Sequence, residues 1–190
     1  MTKGRVPARP IVSGGVRRYE DSLWLERLRE EGPGSIPPGT PPPVELVKAI
    51  GEFNSGLFFQ AHETLEDLWR VTPYPLRLFY HGIIKLAAGF HHVEQGNQKG
   101  ALSLLEGAIR CLRPFGPRYM GVELTLLLDD TRDRLSRLDG VHWQSPNGLP
   151  RPGILFAYQE YGAGPGGSSL LGFGECEAST GPAAMPSRKG

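Results

Sequence analysis

The chain has 190 residues, enough for one ordinary domain with tails, and its 21 Lys plus Arg against 20 Asp plus Glu leave a formal net charge of +1. That balance argues against a phosphate-covered partner, because nucleic-acid binders carry a basic excess or stripe, and Arg17, Arg18 and the arginines after Arg110 read as a solvated surface. The longest apolar stretch, Phe79 to Phe90, is interrupted by His81 and Lys85 and is too short to span a bilayer; MTKGRVPARPIVSGG lacks the apolar core of a secretion signal.

In chain order, the first element is a short amphipathic segment, YEDSLWLERLREE, whose Leu23, Trp24, Leu25 and Leu28 suit an extra helix docked on the domain. GPGSIPPGTPPP follows as a linker, so residues 1–42 read as an arm. A first core helix opens near Pro43 and runs to TPYP at 72–75, with Leu46, Ile50, Phe53, Leu57, Ala61, Leu65 and Leu68 at spacings of three and four. Proline disfavours helical geometry in the residue before it, which ends that helix. Leu76 to Gln95 is apolar nearly all round, as a helix at the centre of a bundle must be. Gly96 then supplies a C-cap and Asn97 an N-cap for a third helix ending near Leu112. RPFGP breaks the chain, and a leucine stripe predicts a fourth helix over 122–138.

No strand pattern competes within this core, and the expectation is an all-α antiparallel bundle of about four core helices over residues 43–140. The 26 Gly and 18 Pro of the chain crowd its two ends, so 141–190 reads as a mostly disordered tail. Within it ILFAYQEY, at 154–161, suits either a strand or a helical turn. Cys111 lies in an apolar helical pattern and Cys176 in the Gly-rich tail, and both read as reduced thiols of a cytoplasmic protein.

The candidate polar centre comes from FNSGLFFQAHETLEDLWR, residues 53–70. On a helical wheel Asn54 falls within the apolar arc, while His62 and Glu66, four apart, share its edge. Glu63 and Asp67 point away. The second helix adds His81, Lys85 and His92 on one stripe, with His91 and Glu94 as a separate pair. A hairpin folded about residue 72 would bring His62 and Glu66 level with His81 and Lys85, and Asn54 level with His91 and His92.

Three readings compete for this centre. His62-Glu63-Thr64-Leu65-Glu66 is an HExxE pattern, with glutamate where a zinc protease has its second histidine, and no di-iron Glu-x-x-His tetrad occurs; a mixed site of His62, Glu66 and His81 or His92 stays chemically possible. A His–Glu pair also suits general-base catalysis, but no nucleophile signature accompanies it. The favoured reading is structural: buried polar groups must be hydrogen-bonded, so Glu66 would fix His62, and Asn54 and the His91/His92 end would tie helix termini together, with Asn97 counted in the same polar centre. No cofactor and no metal are expected. Gly82, Gly89 and Gly100 read as sites of close helix approach.

The same residues resemble a known family. FNSGLFFQAHETLEDLWR is similar to the signature Phe-Asn-x-Gly-x-Phe/Tyr-x-x-x-His-Glu-x-x-Glu-x-x-Trp of the domain-of-unknown-function family three-oh-nine. YHGIIKLAAGFHHVEQGNQKGALSLL resembles its second block and YMGVELTLLL its third, so the likeness spans about residues 44–138. Phe53, Asn54, Gly56, His62, Glu63, Glu66, Trp69, Gly82, His92, Gly96, Asn97, Gly100 and Ala101 stand where the family pattern has them. His81 departs from it, since that position is commonly glutamine. The resemblance implies a small all-helical fold in bacterial-type cytosolic proteins and brings no established activity.

Two function classes follow. The favoured one is a non-enzymatic helical interaction module that self-associates; the other is a small metal-dependent or acid–base hydrolase-like enzyme centred on His62 and Glu66. Self-association is expected because Trp24, Phe58, Phe59 and Trp69 leave aromatic surface without an obvious internal partner. A two-fold dimer through the first core helix or the Trp24 arm would cover it, unless the arm folds back within one chain.

Overall fold

The computed structural model describes residues 15–34, 36, 40–138 and 152–157. The all-α expectation holds. Among the described residues six helices run in chain order: α1 Gly15–Glu31, α2 Val44–Asn54, α3 Phe58–Val71, α4 Leu76–Glu94, α5 Gln98–Leu112 and α6 Leu124–Leu138. Among the described residues, no helix is long and apolar enough to cross a membrane.

α4 is the central element, packed between α3 and α5. Eleven of its side chains and glycines are buried, from Leu78 to Val93, which matches its nearly continuous apolar sequence. It lies close to α5 because Gly82 and Gly89 have no side chains there. A Cβ at Gly82 would sit 2.5 Å from Leu112 Cγ, and one at Gly89 would sit 2.6 Å from Leu105 Cδ2. Gly100 has a different role from the one expected: a Cβ there would meet the Asn97 side chain at 2.6 Å, so this glycine makes room for a helix cap.

The first predicted core helix is two helices. Gly56 takes a left-handed φ of 79°, and Gly56 N–H and Leu57 N–H donate back to the carbonyls of Phe53 (2.9 Å) and Glu52 (2.8 Å). That paired closure ends α2 and lets α3 leave in a new direction. The hydrophobic spacing carries straight through the break, which is why the wheel did not see it. The same closure recurs after α4, where Gly96 has φ 69°, its N–H donates to Val93 O at 3.0 Å, and Asn97 N–H donates to His92 O at 2.9 Å. Asn97 then caps α5 as expected, its Oδ1 accepting from Gly100 N–H at 3.0 Å.

A small antiparallel hairpin, β1 Arg118–Tyr119 and β2 Val122–Glu123, corrects the strand-free reading of the core. Met120 and Gly121 turn it with φ of 49° and 80°, the two positive values that a tight hairpin turn requires. Residues 152–157 add a third extended piece. Val122 bridges Phe156, Glu123 N–H donates to Leu155 O at 3.0 Å, and Ala157 N–H donates to Gly121 O at 2.8 Å. The start of ILFAYQEY is therefore extended and packed, with Ile154 buried, although it falls in the stretch read as tail. The remainder of that tail lies outside the described residues, as do Cys176 and the chain before residue 15.

Candidate functional site

The polar residues singled out in the sequence do not form one centre. The antiparallel pairing of α3 and α4 explains why. Phe59 contacts His91 with ring centroids 5.5 Å apart, and Trp69 contacts His81 at 5.2 Å. Both pairs are symmetric about residue 75 rather than 72, so the register differs from the one expected and His62 is not level with His81. Asn54, on the separate helix α2, is not part of that hairpin at all. The candidates divide among four places.

Asn54 holds the extended segment. Its Nδ2 donates to Ile154 O at 3.0 Å, and its Oδ1 accepts from Ile154 N–H at 2.7 Å. A primary amide matches a backbone peptide in this way because it carries one donor and one acceptor side by side. The expected partners His91 and His92 are elsewhere.

His62 and Glu66 form a ladder on the outer face of α3. Their side chains are 28% and 34% exposed, with His62 Nε2 3.9 Å from Glu66 Oε1. The other Glu66 oxygen accepts from Arg70 at 2.6 Å, and Arg70 also donates to Asp67 at 2.9 Å. The pair is less than half exposed, but the bond Glu66 accepts comes from its own helix rather than from the bundle. Phe59 lies beside His62 and His91, with ring centroids 6.1 Å and 5.5 Å away.

His92 and Asn97 meet at the α4–α5 junction, where Asn97 Nδ2 and His92 Nδ1 are 3.0 Å apart. Here the expectation that the His92 end ties two helix termini together matches the geometry.

His81 and Lys85 face the arm. Asp21 of α1 accepts a hydrogen bond from Tyr74 Oη at 2.5 Å, and its other oxygen lies 3.1 Å from His81 Nδ1. Lys85, one turn along α4, places Nζ 3.5 Å from the buried Cys111 thiol. Burial alone would raise the Asp21 carboxyl, but the adjacent His81, the Tyr74 hydrogen bond and the nearby Lys85 charge outweigh it, so its pKa is lowered. Burial and the Asp21 bond push the Tyr74 phenol up, and burial pushes the Cys111 thiol up. A buried thiol held in its neutral form is a poor nucleophile.

Packing completes this cluster. Trp24 stacks on Tyr74 with centroids 5.3 Å apart and planes within 4° of parallel. Leu25 and Leu28 are buried, whereas Leu23, grouped with them in the sequence, is exposed. Arg77 lies over Trp69, its Cζ 4.5 Å from the ring centroid. Phe58 packs against Phe53 and Phe90 in the core. Of the four aromatics expected to lack internal cover, only Phe59 stays largely exposed, at 47%.

Asp21 is the residue that sequence reasoning missed. It sits three residues before Trp24 in an arm recognised only for its apolar side chains, and its partners lie more than fifty positions away. Among the described residues, no three His, Cys, Asp or Glu side chains come together in a set that could hold a metal ion. What the arrangement does is join elements: arm to bundle, extended segment to α2, and α4 to α5.

Comparison with known proteins agrees with the signature. An uncharacterized protein of Aquifex aeolicus (strain VF5) is 28% identical over 83 residues, which is 43% of this chain and 25% of the relative. The chain thus spans about a quarter of that relative's length. Residues 46–104, from Leu46 in α2 into α5, match the family described as "Domain of unknown function (DUF309)", so over that stretch the chain is similar to that family.

Proposed function

We propose that this chain is a non-enzymatic helical interaction module of the cytoplasm, self-associating through the corner where α2 meets α3. The observation that carries the reading is the exposure of Leu57 and Phe59, both 47%, on a corner whose polar neighbours are engaged elsewhere. Asn54 is bonded to Ile154 and Glu66 to Arg70, contacts that join elements of the fold and support the non-enzymatic reading. Phe59 with His62 and His91 offers an aromatic surface, the kind of side chain that anchors protein interfaces.

Sedimentation equilibrium of the full chain at micromolar concentration tests this. The expected result is a dimer mass that Phe59→Ser reduces to a monomer mass without changing the helical circular dichroism spectrum. A monomer mass for the unaltered protein at every concentration refutes self-association. Stoichiometric metal in protein purified without a histidine tag would instead favour the enzymatic reading of His62 and Glu66.

A further inference from the structure

The contact between α1 and the bundle is made by side chains, not by chain adjacency. Twelve residues, GPGSIPPGTPPP, separate α1 from α2, and the arm packs against the α3–α4 turn, α4 and the short turn Arg113–Phe115 that follows α5. The seat has a specific chemistry. Tyr74 offers a hydroxyl donor and a ring face, His81 offers Nδ1, and Lys85 adds positive charge. The arm answers with Asp21 for the donors, Trp24 for the ring, and Leu25 and Leu28 for the apolar floor. Removing the arm would leave those donors without their carboxylate and expose the face of Tyr74. An empty seat therefore favours an amphipathic helix with a carboxylate one turn before an aromatic residue.

We propose that this seat is an exchangeable docking surface whose second occupant is the α1 of another copy of the chain. The copy's arm carries the same carboxylate, ring and leucines, so every contact of the closed chain is reproduced between chains. Only the linker path and the cost of association differ, which are the conditions for exchange of an element between identical protomers. The tether is Pro- and Gly-rich, with Gly32 and Gly34 both at φ 73°, so it departs from α1 as a bent connection and not as a continuation of the helix. This surface is separate from the Phe59 corner and does not depend on it.

Charge reversal tests the proposal in the full chain, in a Phe59→Ser background so that the corner contributes nothing. Asp21→Lys gives a copy with an intact seat and a mismatched arm. His81→Glu with Lys85→Glu gives the opposite: an intact arm and a mismatched seat. Each variant alone cannot seat its own arm or that of an identical copy. Mixed together, Asp21 of one meets His81 and Lys85 of the other, and the lysine introduced on the reversed arm meets the two introduced glutamates in return. The expected result is a monomer mass for each variant alone and a mixed dimer on combining them, with a dissociation constant at least about tenfold tighter than either variant's own. Lys85→Glu alone replaces the double reversal if circular dichroism shows that the double variant does not fold. A mixture that sediments only as monomers overturns the proposal. So does association that is equally strong in each variant alone.

Discussion

Asn54 offers the most direct test of how the signature residues are used. Asn54→Ala removes both hydrogen bonds to Ile154, the 3.0 Å bond to its carbonyl and the 2.7 Å bond from its N–H. Each neutral hydrogen bond contributes about 1 kcal/mol net, so the substitution should weaken attachment of residues 152–157 by about 2 kcal/mol. At tenfold per 1.4 kcal/mol, that is about a thirtyfold rise in the local opening equilibrium. Native-state hydrogen exchange reads it directly, because local opening exposes particular amides without global unfolding. Ala157 is the best reporter: its N–H donates to Gly121 O at 2.8 Å and has no bond to Asn54. Its exchange should accelerate about thirtyfold, while core amides of α4 keep their rates. Asn54→Asp should be at least as damaging, since a carboxylate oxygen would replace the donor that faces the Ile154 carbonyl. Unchanged exchange at Ala157 in both variants would refute the argument and assign attachment to the burial of Ile154 alone.

Glu66→Ala and Glu63→Ala should each shift stability by no more than about 1 kcal/mol in urea titration, because the Glu66 pairs with Arg70 and His62 lie on a solvated helix face; a loss of several kcal/mol for Glu66→Ala would restore the buried-centre reading. Gly82→Ala should destabilise by about 1–3 kcal/mol, as its methyl would press on the fully buried Leu112. Gly51→Ala, with open space around its added methyl, should instead stabilise α2 by about 0.5–1 kcal/mol; equal effects at the two glycines would contradict the packing of α4 on α5. Asp21 has a lowered folded-state pKa, so its contribution is present above the unfolded carboxyl value of about 3.9 and is lost as pH falls through the folded value. Asp21→Asn should therefore flatten the acid limb of a melting-temperature profile between about pH 2 and 5, and an unchanged limb would show that Asp21 is not linked to folding.

Much of the fold was legible because it rests on local rules. The apolar run of α4, the Gly96–Asn97 punctuation and the leucine stripe of α6 each declare themselves within one or two helical turns. The division of α2 from α3 was not legible, since leucine and phenylalanine keep helical spacing across Gly56 and nothing nearby is as disruptive as proline. The site fared worse for a related reason. A wheel places His62 and Glu66 correctly on one face, but the register of α3 on α4 depends on how the 72–75 turn closes. A shift of that centre from residue 72 to 75 separates His62 from His81.

By itself, then, the sequence determined most of the helices, the Gly96–Asn97 caps and the likeness to a family, because hydrophobic period, glycine punctuation and a long signature are properties of neighbouring residues. Only the tertiary structure decided which polar groups meet. Asp21 reaches Tyr74 across 53 positions, and Asn54 reaches Ile154 across 100. Contacts at that separation depend on how whole helices pack, where many weak apolar contacts add up and no single residue announces the outcome.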